Sequence, residues 1–128
     1  MKLEDLFIKY PEAFRWSEGH DKYSLPLFGF ECSDGWYEII EPLVRYIHEW
    51  NSDISPDVER IFIHQVKEKF AGLRFYVSSA PEGLWNLIDE AEAKSTKICE
   101  TCGKEGKVRG EGWFYTSCND HAKEQDKE

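Results

Sequence analysis

The chain has 128 residues, of which 41% are hydrophobic and 15% aromatic, so it is long and apolar enough for one domain with a hydrophobic core. Its formal net charge of −9 argues against direct binding to a nucleic-acid duplex, because affinity for phosphates requires clustered Lys and Arg. No apolar run approaches the roughly 18 residues of a membrane span, and the N-terminus lacks a signal-type apolar stretch. We therefore expect a cytoplasmic protein whose thiols stay reduced.

The N-terminal segment predicts short helices followed by irregular chain. Apolar residues from Leu3 to Tyr10 have helical spacing, and Pro11 ends that helix and begins a second short turn. Residues 17–35 are rich in Gly, Pro, Ser and Asp, which favour turns. We expect an irregular segment there, with LPLFGFE (25–31) as a short extended piece.

The next segment, GWYEIIEPLVRYIHEWN (35–51), predicts an amphipathic helix because its large apolar residues fall on one face. Ser33 or Asp34 is the candidate N-cap. Pro42 departs from the pattern, since a proline inside a helix removes one backbone hydrogen bond. We expect it to kink the helix or to restart it.

A β-hairpin is predicted over residues 58–78, where β-branched and aromatic residues form two arms around a turn near Phe70–Gly72. An amphipathic helix follows in PEGLWNLIDEAEAKSTK (81–97), with a buried face formed by Leu84, Leu87, Ile88 and Ala91. Helix, helix, hairpin and helix in this order indicate an α+β fold, in which a small antiparallel sheet packs with helices against one face.

The strongest motif is CxxC, fifteen intervening residues and then CxxH, formed by Cys99, Cys102, Cys118 and His121. Two thiolates separated by two residues bind one ion from a tight turn, and Gly103 supplies the conformational freedom of that turn. On the first turn of a helix, Cys118 and His121 lie on the same side. The intervening KVRGEGWFYTS predicts two short strands, so the whole resembles a treble-clef zinc finger.

Three thiolates and one imidazole suit a tetrahedral Zn²⁺ ion. An iron–sulfur cluster fits less well, because only three thiolates are close in sequence, and a redox disulfide between Cys99 and Cys102 is the alternative. Catalytic zinc keeps a position open for water, whereas four protein ligands close the shell. We therefore predict one structural Zn²⁺.

The charges divide the chain into two parts. Residues 1–96, the body, carry 18 acidic and 10 basic side chains, whereas residues 97–128, the C-terminal unit, carry seven acidic and six basic ones. The body is long enough to form the hydrophobic core by itself. The C-terminal unit is predicted to be held by zinc and packed on the body, in one compact domain overall.

A second candidate site lies on the predicted hairpin, where His64, Lys67, Lys69 and Arg74 form a small basic cluster. This cluster would suit a phosphate or an acidic partner, although a solvated strand face has the same composition. Cys32 lies outside the metal motif and is expected to be a buried small apolar residue.

Three pieces, SDGWYEII, QVKEKFAGLRFYVS with LIDEAEAKS, and ICETCG…GWFYTSCNDHA, resemble in this order a family of small bacterial and phage proteins of unassigned activity. The resemblance runs from about Asp34 to Ala122, and it departs at Ala71, where a second glycine is usual, and at Pro42. It supports the zinc assignment and implies a phage or mobile-element origin.

The leading hypothesis is a non-enzymatic, zinc-stapled module that binds a protein partner, which an acidic surface would make a basic one. If phage-encoded, it would act in the host cytoplasm as an inhibitor or modulator of a host protein. One alternative is a zinc finger that binds nucleic acid through Lys104, Lys107 and Arg109. A second is an enzyme acting on a phosphorylated small molecule at the hairpin cluster.

Overall fold

The computed structural model describes residues 1–15, 29–55 and 57–128. Its helices are α1 (Asp5–Lys9), α2 (Tyr37–Ser52) and α3 (Glu82–Ser95). Two antiparallel pairs are formed by β1 (Ile63–Lys69) with β2 (Gly72–Val77), and by β3 (Lys107–Arg109) with β4 (Tyr115–Ser117). Short 3₁₀ helices lie at Pro11–Ala13, Asp34–Trp36, Asn119–His121 and Glu124–Asp126. The predicted α+β class is confirmed.

The N-terminal predictions agree with the described part of the chain. Helix α1 ends before Pro11, which begins the first 3₁₀ helix. Most of the segment predicted as irregular, residues 17–28, lies outside the described residues, as does most of LPLFGFE. The last residue of LPLFGFE, Glu31, forms one parallel β-bridge to Lys67, so a single residue pairs with the free edge of β1.

Helix α2 runs unbroken across Pro42, so the proline does not restart it. The cost is the one hydrogen bond that an N–H at this position would make to Glu38. Burial of an apolar side chain stabilises the fold by about 1.5–3 kcal/mol, so the buried apolar face of this helix outweighs that loss. Its buried apolar side chains include Ile39, Ile40, Leu43, Val44 and Ile47. Asp34 does not cap the helix, because its carboxylate accepts the Leu3 N–H at 2.8 Å.

The first arm of the hairpin is shorter than predicted, since β1 begins at Ile63 rather than near residue 58. The preceding backbone has another partner: the Asn51 side chain at the end of α2 both donates to and accepts from Ile61, at 2.9 Å each. The turn itself consists of Phe70 and Ala71, which lie between Lys69 and its partner Gly72. The predicted turn position is confirmed.

The hydrophobic core lies between α2, α3 and one face of the β1–β2 pair. Its largest fully buried side chains include Trp36, Ile40, Leu43, Ile47, Leu73, Leu84 and Ile88. Helix α3 also binds the edge of β2, because Ser95 Oγ accepts the Leu73 N–H at 2.9 Å and the Glu92 carboxylate accepts that of Phe75 at 3.1 Å. Within the described ranges, no helix is long and apolar enough to cross a membrane.

Candidate metal centre

The four residues of the predicted zinc motif lie together. One ligand atom from each of Cys99, Cys102, Cys118 and His121 falls within 4.8 Å of all the others. Cys102 Sγ and Cys118 Sγ are 3.7 Å apart, and His121 Nδ1 lies 3.7 Å from Cys99 Sγ and 3.2 Å from Cys118 Sγ. The motif predicted from spacing therefore forms one cluster.

These separations fit a tetrahedral zinc ion. With Zn–S bonds of about 2.3 Å and Zn–N bonds of about 2.0 Å, neighbouring ligand atoms in a tetrahedron are about 3.5–3.8 Å apart. The S···S distance and the longer S···N distance match this range, and the shorter S···N distance of 3.2 Å is slightly below it. All four cysteines are free, so Cys99 and Cys102 form no disulfide. The arrangement can hold one metal ion.

The first ligand pair is held by a tight turn. The Cys99 N–H donates to the Lys104 carbonyl at 2.7 Å, and the Gly103 N–H donates to the Cys99 carbonyl at 2.9 Å. Gly103 has φ of +82°, a conformation that side chains other than glycine rarely adopt, so the glycine after the second cysteine is required by the backbone. The turn therefore points both thiols towards the second ligand pair.

The second ligand pair follows β4, but not on an α-helix as predicted. Asn119–His121 is a single 3₁₀ turn, and Ala122 is extended at φ −74° and ψ 152°. The chain leaves helical geometry because the Tyr115 hydroxyl accepts the Lys123 N–H at 2.9 Å and donates to the Asp126 carboxylate. The unit is treble-clef-like in its turn and hairpin, with a 3₁₀ turn in place of the closing helix.

The protonation state of Cys99 suits metal binding. Burial of the Cys99 thiol acts to raise its pKa, but hydrogen bonding from the backbone of Cys118, Cys102 and Thr101 outweighs it and lowers the pKa to about 6. The Cys102 pKa is raised: hydrogen bonding from the Lys104 backbone lowers it, but burial and the neighbouring thiols have the larger combined effect. The lowered pKa favours the thiolate form of Cys99, which is the form that zinc requires.

The C-terminal unit is attached to the body through Gly35 and Trp36. The Gly35 N–H donates to the Glu100 carbonyl at 2.7 Å, and the buried Trp36 indole N–H donates to the Ile98 carbonyl at 2.9 Å. A methyl group on Gly35 would come within 2.3 Å of the carbonyl oxygens of Cys99 and Glu100. Only glycine allows the turn at residues 99–103, which we call the zinc turn, to approach the 3₁₀ helix before α2 this closely. We call this contact the Gly35 contact.

A second attachment joins the two hairpins. Thr116 on β4 donates its hydroxyl to the Ala71 carbonyl at 2.6 Å, and both residues are buried. The tip of the β1–β2 hairpin is thereby fixed against the β3–β4 pair. The sequence pieces that contain Gly35 and Ala71 thus bear directly on the placement of the metal ligands.

The basic side chains next to the metal turn are largely engaged within the protein. Arg109 is only 8% exposed, and its guanidinium donates to the carbonyls of Ser117 and Asp126 at 3.1 and 3.0 Å. Lys107 forms an ion pair with Glu128. Two of the three cations on which a nucleic-acid finger would depend therefore make internal contacts.

The structure brings part of the hairpin cluster together. Lys67 and Arg74 are directly opposite in the β1–β2 pair and so share a face. Lys69 ends β1 with its Nζ 5.7 Å from the Phe70 ring centre, and His64 lies at the irregularity between Ile63 and Gln65. A binding role for His64, Lys67, Lys69 and Arg74 stays a prediction.

Sequence reasoning correctly placed Cys32 outside the metal motif, but it predicted a buried residue where Cys32 is only partly buried against the core, and it missed the Gly35 contact. Cys32 lies outside the ligand cluster, and burial raises its pKa to about 12, so it stays a thiol. The only signal for the Gly35 contact was the glycine next to a tryptophan in SDGWYEII, a pattern that by itself reads as the start of a helix.

The chain was compared with family models, with curated proteins and with solved structures, and none of them matches.

Proposed function

We propose that this protein is a non-catalytic module, held together by one zinc ion, that acts in the cytoplasm by binding another protein. The observation that carries the proposal is the composition of the metal cluster. Its four side chains would complete a tetrahedral shell around one ion, and no Asp or Glu of the described chain joins them. Catalysis by zinc needs an open position and, commonly, a nearby carboxylate as proton acceptor.

A structural role also accounts for how the C-terminal unit is built. Only two of the buried apolar residues, Cys99 and Ala122, belong to residues 97–128. Zinc, when bound, supplies the folding free energy that such a small buried surface does not. Zinc would then order this unit so that the unit can present a binding surface.

The nucleic-acid alternative has less support. The net charge of −9 repels a phosphate backbone, and Lys107 and Arg109 already have internal partners. A basic protein is the partner that an acidic surface attracts. The resemblance to small bacterial and phage proteins supports the further proposal that the target is a host protein.

The test is affinity capture from a bacterial lysate with the full, zinc-loaded chain as bait. We expect one basic protein at near-equal stoichiometry, which then rebinds the purified chain in a one-to-one complex measured by calorimetry. A bait carrying Cys102→Ser controls for the need for the zinc-held shape. If no captured protein rebinds the purified chain, the proposed function is wrong.

A further inference from the structure

The tips of the two hairpins form an apolar groove on the protein surface, which we call the aromatic groove. It has a volume of about 180 Å³ and is lined by Glu68, Lys69, Phe70, Gly112, Trp113 and Phe114. A cavity of about 150 Å³ accommodates benzene, so this groove has room for one large side chain. The hydrogen bond from Thr116 to Ala71 fixes the position of one tip against the other hairpin.

The aromatic residue at the first tip is costly to the fold. Phe70 has φ of +52° and Ala71 has φ of +74°, and both angles are unfavourable for residues other than Gly, Asn and Asp. Phe70 is also 73% exposed, so its ring recovers little burial in exchange. Strained backbone and an exposed ring at the same residue are typical of positions kept for binding.

The second tip exposes two more rings. Trp113 is 73% exposed and Phe114 is 43% exposed, and they follow Gly110 and Gly112, whose φ values are +99° and +74°. Large aromatic residues concentrated on one surface are the usual anchors of protein interfaces, because they bury much area with few rotatable bonds. The groove therefore has the composition of a binding surface on both of its walls.

The groove itself is lined by one acidic and one basic residue, Glu68 and Lys69, so the charges next to it bear on the kind of partner. Trp113 also lines a polar hollow of about 300 Å³, together with Gly110, Glu111, Lys123, Gln125 and Asp126. Lys123 lies 5.3 Å from the Tyr115 ring centre, and Asp126 accepts the Tyr115 hydroxyl. Within the described ranges Glu111, which lines the same hollow as Trp113, forms no ion pair.

We infer that the aromatic groove binds a basic segment of a protein partner. A large apolar side chain of the segment occupies the groove, and an adjacent Arg or Lys lies against the Trp113 ring and pairs with Glu111. The net charge of −9 attracts such a segment, and it repels both nucleic acid and a second copy of this chain. This inference rests on the proposed function and assigns it a surface.

The experiment uses short random peptides displayed on a surface and selected for binding to the zinc-loaded chain. We expect selected peptides that place Lys or Arg next to a large apolar residue. Their affinity should fall about tenfold or more for Phe70→Asn combined with Trp113→Ser, because both anchors are removed. Phe70→Asn suits the turn, and Trp85→Ser is the matched control, since Trp85 is exposed on α3 and does not line the groove.

Charge gives a second readout. Glu111→Lys should weaken the same peptides and reduce the dependence of their affinity on salt, whereas Glu90→Lys on α3 should not. Peptides of acidic composition, or peptides that bind the double variant as tightly as the unmodified chain, would overturn the inference. Binding of an oligothymidylate by stacking on Trp113 would also overturn it. A dimer detected by sedimentation and abolished in the double variant would do the same, because the groove would then bind a second copy of the chain.

The two proposals fail in different ways. If a protein captured from lysate binds the double variant with unchanged affinity, the aromatic groove is not the surface, and the proposed function stands. If no protein rebinds the purified chain, the proposed function is wrong and this inference with it. Amide spectra of each variant establish that the fold is intact before affinities are compared.

Discussion

The body and the C-terminal unit are stabilised by different physical means. In the described part of the body, side chains from three helices and a hairpin bury a continuous apolar core. In the C-terminal unit the buried residues are a metal ligand, one alanine and three polar residues, Arg109, Thr116 and Ser117. The body is therefore held by removal of apolar surface from water, and the unit by directed hydrogen bonds together with a four-residue cluster that can hold one metal ion.

This difference determines how each part responds to a single change. Apolar burial is shared among many side chains, so loss of one contact leaves most of the stabilisation in place. A four-ligand shell depends on every ligand, and a buried hydrogen bond depends on both partners. We therefore expect the unit to respond in an all-or-none manner and the body in proportion to the change.

Loss of a metal ligand should have the largest effect. Cys102→Ser should abolish zinc binding and unfold residues 97–128, since apparent zinc binding free energies of about 10–16 kcal/mol support such small units. Native mass spectrometry should find one zinc in the unmodified chain and none in the variant. Amide resonances of the body should stay dispersed because its core is apolar.

The matched control is Cys32→Ser, at the cysteine outside the cluster. It should retain one zinc and the full amide spectrum. A Cys102→Ser chain whose C-terminal amides remain dispersed would show that hydrogen bonds alone hold the unit, and the contrast between the two parts would then be wrong.

A methyl group at Gly35 should have the next largest effect. Gly35→Ala forces the new carbon against the carbonyls of Cys99 and Glu100, and we expect it to lower the free energy of unfolding by about 1–3 kcal/mol and to weaken zinc binding. Gly83→Ala within α3 meets only the flexible Tyr46 side chain and gains helix propensity, so it should cost nothing. Urea unfolding and a competitive zinc chelator measure the two quantities.

Removal of one hydroxyl tests the link between the hairpins. Thr116→Val leaves the buried Ala71 carbonyl without its donor and should cost about 1–2 kcal/mol. Thr96→Val removes a longer, exposed hydrogen bond to Ala93 and should change stability by a few tenths of a kcal/mol at most. Equal losses in the two variants would mean that burial of the Thr116 contact adds nothing.

The smallest effect is expected for an ion pair of the body. Arg60 lowers the pKa of Glu12, at 3.1 Å from its carboxylate, below the usual value of 4.5. Its contribution to stability is therefore present above pH 4.5 and is lost as pH falls through the lowered folded-state pKa. Glu12→Gln should cost up to about 1 kcal/mol at pH 7, and the difference should shrink in acid.

Denaturant unfolding at pH 7 and below pH 4.5 measures the stability lost in Glu12→Gln. Glu90→Gln, at an exposed residue of α3, is the control. A loss that is the same at neutral and acid pH would assign the effect to side-chain packing and not to charge.

The sequence predicted the parts of this fold that depend on local pattern. Ligand spacing identified the cluster because CxxC and CxxH each place two ligands within one turn. Periodicity identified α2 and α3, and the turn at Phe70 follows from two apolar arms of matching pattern. These features require only neighbouring residues, so they are readable without a structure.

The remaining features depend on contacts between distant residues. The beginning of β1 is set by Asn51, and the 3₁₀ turn after Cys118 is set by the Tyr115 hydroxyl. The Gly35 contact joins residues that are far apart in sequence. No local pattern contains such pairings, so the sequence alone did not reveal how the body positions the zinc turn.

The hydrogen bond from Trp36 to Ile98 has a consequence for the order of events during synthesis, since it spans 62 residues. A ribosome releases α2 and both arms of the first hairpin before it releases any zinc ligand. Until Ile98 and Glu100 emerge, the Trp36 indole N–H and the Gly35 N–H lack their acceptors. Assembly of the ligand cluster is therefore a late step, and a chain interrupted before residue 98 leaves two N–H groups beside α2 without the carbonyls that accept them.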